Sequence, residues 1–372
     1  MRIGLDCRSA FAGMGGIGRY AWSLLQEFRT LASKHEVFCY FSHHAPPAPL
    51  QVPENFRVRV IEAGMVDERF DQFVLPGLLE EDEIDVYHNP TFSVPTIHGK
   101  TRLISTVHDV VFAKRPDLVE PRLNEYLHRA TSRAARGASR IITVSNFSAR
   151  EISECYGVSS SAITVIPNGV HAAAQQTTDP REVRQRLGVP AEGYVLYVGS
   201  IEPKKNLELL LQALNIRKQA DGKPMHLVLA GSHGACAKSL RDKIEACVKN
   251  GEATLTGHVT DSELEALYAG SVLFVYPSLY EGFGLPPLEA MLRGVPTIVA
   301  DATSLPEVVG DAALRVDPCN PEALAGAIGS VLADASMRDQ LSGMGRLRAA
   351  EFTWWKSAEA HLRVYEEVAA AK

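Results

Sequence analysis

Glu281-Gly-Phe-Gly-Leu-Pro-Pro-Leu-Glu289 holds two carboxylates with seven residues between them, around a glycine turn that opens a helix. Upstream, Val272-Leu-Phe-Val-Tyr276 reads as a short buried strand ending at Pro277 and Ser278. Downstream, Pro286 and Pro287 suit a helix start and Gly294 suits its stop. Strand, loop and helix in that order are the repeat of a parallel α/β sheet, with ligands expected at the carboxyl ends of the strands. The backbone N–H groups of Phe283, Gly284 and Leu285 then point out of a helix N-terminus, where an anion such as a diphosphate is favoured. Glycine lets that ligand come close. Glu281 and Glu289 repel phosphate but accept hydrogen bonds from hydroxyls, so the implied ligand is a nucleotide sugar. Singly, Glu289 reads as a first-turn glutamate and Gly282 and Gly284 as an ordinary turn; the combination favours the ligand.

Working outward, the same alternation fills the chain. Strands are predicted over 3–6, 37–41, 58–61, 85–88, 103–107, 141–144 and 164–166. An amphipathic helix places Ile17, Tyr20, Ala21, Leu24, Leu25, Phe28 and Leu31 on one face. After Pro167-Asn-Gly169, residues 171–192 read as a linker rich in Ala, Gln and Thr, followed by a short charged helix. The pattern restarts at Tyr194-Val-Leu-Tyr-Val198 and runs through the motif; beyond Pro321 the chain reads as helical nearly to its end, with a break at Phe352, Trp354 and Trp355. The expected organisation is an N-terminal Rossmann-like domain over 1–170, the linker, a second such domain over 193–352, and a C-terminal helix over 353–372.

At 372 residues there is room for two cores, and 46% hydrophobic with 22% charged residues is a globular composition. A net charge of −6 argues against a general nucleic-acid binder. Six scattered cysteines lack zinc-like spacing and read as reduced thiols. Met1-Arg-Ile-Gly-Leu-Asp6 enters a strand directly, and no apolar run reaches membrane-spanning length, so a cytoplasmic protein is expected.

Gly13-Met-Gly15-Gly-Ile-Gly18 matches a dinucleotide fingerprint, but its first glycine comes seven residues after Asp6, and Ser42-His-His44 stands where the ribose-binding acid belongs. What survives is a loop and helix start, at Gly15 and Gly16, able to sit against phosphates. Lys204 and Lys205 follow the first strand of the second half, where they read either as solvated charges or as neutralisers of a leaving diphosphate; their place at a strand's carboxyl end favours the second. His108-Asp109 ends another strand: the histidine as hydrogen-bonding partner of a sugar hydroxyl, with the aspartate fixing its tautomer or binding an acceptor, or both as a loop-capping pair. Ser145 reads as a helix cap. On a helix over 122–136, Arg122, Arg129, Arg133 and Arg136 share a stripe that reads either as a solvated face or as a surface for anionic lipid or a lipid diphosphate. His43, His44, His88, His98 and His171 show no metal spacing.

Together, Gly15-Gly-Ile-Gly-Arg-Tyr20, His108-Asp109, Val144-Ser-Asn-Phe-Ser148, Pro167-Asn-Gly-Val170, Glu202-Pro-Lys-Lys-Asn206 and Glu281 to Glu289 resemble the retaining GT-B glycosyltransferases of glycosyltransferase family 4, including mannosyltransferases that use GDP-mannose. The resemblance implies two facing α/β domains, a donor held mainly by the second, and a C-terminal helix crossing back to the first. It implies Glu281 on the donor sugar, Glu289 on the ribose, Gly282, Phe283, Gly284 and Leu285 on sugar and diphosphate, Lys205 on the diphosphate and Val259 near the base. Many relatives carry arginine where Ser200 stands, so Lys204 is expected as the second cation. It further implies transfer without a metal or other cofactor, to a glycan or polyprenyl-diphosphate-linked glycan, in the cytoplasm or at the inner membrane face. The competing classes on this fold are a nucleotide-sugar epimerase or hydrolase and a non-catalytic nucleotide-sugar-binding subunit.

Overall fold

The computed structural model describes residues 1–11, 15–42, 51–64, 67–172, 179–222, 224–232, 234 and 237–371; Gly13, Met14, His43, His44 and Cys236 lie outside them. Two units divide the chain: Met1–Gly169 with Thr353–Lys372, and Val170–Phe352.

In the first unit β1 (Arg2–Asp6), β2 (Glu36–Ser42), β3 (Phe56–Ile61), β4 (Val86–Asn89), β5 (Arg102–Thr106), β6 (Arg140–Thr143) and β7 (Ile163–Val165) lie in the order β3-β2-β1-β4-β5-β6-β7. The neighbouring pairs are parallel. The strand β2 is buried on both faces from Val37 onward and reads as a nearly continuous apolar run, whereas the central β1 and β4 also bury the polar Asp6, His88 and Asn89. The helix Gly16–Leu31 follows β1, buries Tyr20, Ala21, Leu24, Leu25 and Phe28, and packs against the C-terminal helix Trp354–Ala370. That helix starts where Thr353 accepts the Lys356 N–H, and its buried Trp354, His361 and Tyr365 complete this unit. Gly169 sits where a Cβ would come 2.1 Å from the Trp354 nitrogen, so the close passage of the two chain segments demands glycine there.

In the second unit β8 (Tyr194–Val198), β9 (Leu227–Ala230), β10 (Ala253–Gly257), β11 (Ser271–Tyr276), β12 (Thr297–Ala300) and β13 (Leu314–Val316) form a second sheet in the order β10-β9-β8-β11-β12-β13. All its pairs are parallel. Part of the expected linker belongs to this unit. Asp179 caps the helix Pro180–Arg186, whose Val183 and Arg184 are buried, and Arg184 donates to the Ala266 carbonyl at 2.8 Å. Only one apolar side chain in that helix is buried, too few to stand out from a polar segment.

The order of growth reverses between β1 and β4 in one sheet and between β8 and β11 in the other. Crevices outside the carboxyl ends of such strand pairs are where this architecture binds ligands.

Candidate functional site

In the second unit the reversal brings the loop after β8 beside the loop after β11. Pro203–Lys205 form a short turn, and Asn206 behind them donates to the Pro277 and Pro318 carbonyls at 3.2 and 2.8 Å. The Lys204 carbonyl accepts the Leu279 N–H at 2.7 Å, which ties the two loops together. Lys205 Nζ is thereby placed 2.6 Å from Glu281 Oε1 and 2.7 Å from the Tyr276 hydroxyl. Ser278 Oγ donates to the same carboxylate oxygen at 2.6 Å.

The pair is buried, each side chain about one-tenth exposed. Burial alone would raise the Glu281 pKa, but Lys205, helped by Lys204 and the Ser278 hydroxyl, outweighs it and holds the carboxyl below the usual carboxylate range. Burial would likewise lower Lys205, and Glu281 reverses the sign, keeping the ammonium above its ordinary value. Both groups are therefore ionised at neutral pH.

Glu281 is held from behind as well: its N–H reaches Thr303 Oγ1 at 3.1 Å and its carbonyl accepts from Ser304 Oγ at 2.8 Å. Gly284 caps the motif helix Leu285–Leu292 with φ 119°, and a Cβ there would lie 2.7 Å from Leu305 Cδ2, so glycine is required twice over. Because Pro286 and Pro287 carry no N–H, the outward donors of that turn are Phe283, Gly284 and Leu285, whose N–H groups meet no protein acceptor among the described residues. One turn on, Glu289 is half-buried and accepts from the Tyr268 hydroxyl at 3.3 Å. Val259 is buried just after β10, and Ser200 lies two residues after β8 with its carbonyl taking the Tyr197 hydroxyl. Fixed cations, helix-end donors and carboxylates thus lie at one sheet edge, a set able to bind a phosphate and hydroxyls together.

In the first unit His108 follows β5. Its Nε2 lies 2.9 Å from the Pro90 carbonyl, which can only accept, so Nε2 carries the hydrogen and Nδ1 presents a lone pair. Burial lowers its pKa against the opposing pull of Pro90 and Asp109. Tyr20 meets the imidazole edge-on at 4.9 Å and Phe92 at 5.8 Å. Asp109 does not hold the imidazole: its Oδ1 accepts the Val111 N–H at 3.1 Å, the loop-capping alternative. Ser145 caps its helix through the Ser148 N–H. Gly15 caps the first helix without a side-chain bond, and a Cβ at Gly15 or Gly16 would meet nothing within 4 Å, so packing in this unit does not explain either glycine. The arginine stripe differs from an open basic face: Arg133 pairs with Glu68, and Arg129 with Glu68 and Glu125, leaving Arg122 on the first turn and Arg136 on the last, both exposed. Among the described residues no three His, Cys, Asp or Glu gather as a metal site, and no helix is long and apolar enough to cross a membrane.

Sequence reasoning passed over Tyr276, Ser278, Asn206, Thr303 and Ser304. Backbone strain marks three places. Of the four non-glycine residues with positive φ in the described chain, Phe92 (69°) packs on His108, Asn206 (54°) follows Lys205 and Thr303 (56°) holds Glu281. Such conformations cost of order 1–3 kcal/mol each and gather at working sites. Composition does not announce them, although the loop after β12 could have been searched on topology alone.

Residues 14–174 match the profile of Glycosyltransferase Family 4, and residues 179–348 that of Glycosyl transferases group 1. O-antigen chain mannosyltransferase B of Escherichia coli is 34% identical over 283 residues, 76% of this chain and 74% of that protein. Serotype-specific mannosyltransferase WbdA of Escherichia coli is 27% identical over 348 residues, 91% of this chain, which spans 42% of WbdA's length. A solved sucrose-phosphate synthase from Thermosynechococcus elongatus shares the fold, with TM-score 0.76 over the full length of both chains at 22% identity. Two doubly wound parallel units with such a site define a GT-B glycosyltransferase. The chain belongs to glycosyltransferase family 4.

Proposed function

We propose that this enzyme transfers mannose from GDP-mannose, with retention and without a metal, to a glycan or polyprenyl-diphosphate-linked glycan in cell-surface polysaccharide synthesis. The observation that carries the donor class is the buried Lys205–Glu281 pair at the head of the motif helix. The choice of mannose is supported by the two Escherichia coli relatives, both named mannosyltransferases.

In this reading Lys205, seconded by Lys204, takes the diphosphate with the N–H groups of Phe283, Gly284 and Leu285. Glu281 takes hydroxyls of the sugar, Glu289 the ribose, and backbone near Val259 the base; the loop at Gly15 and Gly16 admits phosphate. The bond from the anomeric carbon to the diphosphate oxygen breaks as the acceptor oxygen attacks the same face, and the departing phosphate oxygen receives the acceptor proton. Lysine and helix end stabilise the charge that builds on the leaving group, the work a metal does elsewhere. His108 offers Nδ1 to a substrate hydroxyl. With a lipid-linked acceptor, membrane contact rests on Arg122, Leu123 and Arg136, all exposed, since Arg129 and Arg133 are already paired.

Thermal unfolding with GDP, UDP and dTDP tests the donor base, because only a ligand of the native state raises the midpoint. GDP is expected to give the largest shift; a larger one with UDP or dTDP overturns GDP-mannose. Incubation with GDP-mannose alone separates the classes. Rapid GDP release, or a new sugar nucleotide, would mark a hydrolase or epimerase, and donor binding with no turnover on any glycan would mark a binding subunit. Activity surviving EDTA is expected; loss restored by added metal defeats the metal-free step.

A further inference from the structure

Five side chains of the first unit form a hydrogen-bonded chain that has no place in the reading above. Tyr365 Oη lies 2.5 Å from His88 Nδ1, and His88 Nε2 lies 2.7 Å from Thr106 Oγ1. Tyr20 Oη lies 2.9 Å from Thr106 Oγ1 and 2.6 Å from His361 Nε2. His361 Nδ1 closes the chain 2.7 Å from the Ser357 carbonyl. All five side chains are fully buried, and they come from the first helix, β4, β5 and the C-terminal helix.

Its polarity follows from that last contact. A carbonyl only accepts, so His361 carries hydrogen on Nδ1, and neutral Nε2 must accept from Tyr20. Tyr20, having given its one hydrogen, accepts from Thr106. Thr106 in turn accepts from His88 Nε2, and His88 Nδ1 accepts from Tyr365. Burial keeps both imidazoles neutral, His361 at about 4 and His88 well below its ordinary value, with His108 acting on both in the same direction. The Cys7 thiol is the other titratable neighbour, at Tyr365.

A buried polar chain is tolerated when every member is paired, and it then holds one geometry where apolar packing would admit several. What that geometry holds is Tyr20, whose ring stands at 88° to His108; the Pro90 and Phe92 loop that continues from β4 meets the same imidazole. Thr106 lies two residues before His108 on the same strand end.

We propose that the chain from Tyr365 to His361 is a positioning device for His108, acting through Tyr20, so that the C-terminal helix helps to set the active-site imidazole. This rests on the assignment of His108 to a substrate hydroxyl. Tyr20 and Thr106 touch no reacting atom; they are positioning residues.

The test uses full-length enzyme with GDP-mannose and an acceptor glycan. Tyr20→Phe keeps the ring and deletes a hydroxyl in mid-chain, Thr106→Val deletes the neighbouring one, and Thr106→Ser retains it. Tyr20→Phe and Thr106→Val are expected to lower kcat by about tenfold to a hundredfold, the loss typical of a group displaced by roughly an ångström, with donor KM within about twofold. Their acid limb of kcat should move to higher pH, because a loosened wall admits water and relieves the burial that depresses His108. Thr106→Ser should restore both properties. Variants that melt earlier yet keep the wild-type kcat and pH profile overturn the coupling and leave the chain a mere strut. His108→Ala separates the two failures: if it retains turnover, the assignment of His108 falls and the proposal with it, whereas if it is inactive while Tyr20→Phe is normal, only the coupling falls.

Discussion

Glu281→Gln removes one charge from a pair whose nitrogen and oxygen are 2.6 Å apart and whose side chains are each about one-tenth exposed. Breaking a buried ion pair by deleting one partner costs about 3–5 kcal/mol. The amide oxygen of glutamine still accepts from Lys205 and Ser278, so the lower end, about 3 kcal/mol, applies. For a unit of this size one kcal/mol moves the midpoint by about 2–4 °C, giving a fall of about 6–12 °C. A diphosphate should repair part of the damage, because it returns an anion to Lys205 and no longer faces the Glu281 carboxylate. Ligand at about a hundred times its Kd adds about 2.7 kcal/mol to any native state, so the diagnostic quantity is the GDP concentration needed for a given shift. The variant is expected to need less GDP than the wild type while turning over far more slowly. Scanning calorimetry or dye-monitored melting across a GDP titration reads both. A variant that melts with the wild type, or that needs more GDP, refutes the competition between Glu281 and the phosphate for Lys205.

Lys205→Met is expected to lower turnover by about 10²–10³-fold, as for loss of one preorganised donor at a developing negative charge, and to shrink the GDP-induced shift; steady-state assay decides. Gly284→Ala places a Cβ at φ 119° and 2.7 Å from Leu305 Cδ2, and should cost roughly 1–3 kcal/mol, visible as a lower urea midpoint. The pH dependence follows from signs. Glu281 is depressed on folding, so its stabilisation is complete above the ordinary 4.5 and is lost as pH falls through the folded value. Lys205 is raised, so its share is complete below 10.5 and is lost only as pH rises through the folded value. Comparing acid melts of wild type and Glu281→Gln should show that one component of the acid loss is missing in the variant; identical acid slopes would contradict the assignment. Finally, Arg122→Glu should weaken sedimentation with anionic vesicles more than Arg129→Glu does, given the pairing of Arg129 with Glu68 and Glu125.

Much of this was legible from periodicity. Buried parallel strands are apolar runs and the first helix keeps a clean stripe, because both patterns are direct consequences of which side chains face a core. Pro286 and Pro287 announced a helix start, but the φ of 119° at Gly284 came only with the structure. The polar interior was not legible. Arg8 lies fully buried between Asp6 and Asp71, each at 2.6 Å, and His88 carries a buried chain although nothing in its spacing marks it. Hydrogen-bond satisfaction depends on partners far apart in sequence, here Tyr20 with His361 and Lys205 with Glu281, so local pattern cannot reveal it. Nor does a residue's identity reveal that its backbone is strained, as at Thr303, where a β-branched side chain sits at φ 56°.

On the proposed assignment, the resting pair also bears on how product leaves. Donor binding separates Lys205 from Glu281 and compensates both, the ammonium with diphosphate and the carboxylate with sugar hydroxyls. Once the sugar has gone, the bound nucleoside diphosphate still satisfies Lys205 but leaves Glu281, about one-tenth exposed, with the Ser278 hydroxyl and without its cation. A buried carboxylate left without its counter-ion is costly. Re-forming the Lys205–Glu281 contact is then a driving force for expelling GDP, strongest in the product complex and absent from the substrate complex. Affinity for GDP-mannose should therefore exceed that for GDP in the wild type, and the gap should narrow in Glu281→Gln mainly because GDP binds better. A gap that widens instead, or that narrows only through weaker donor binding, would mean that Glu281 plays no part in product release.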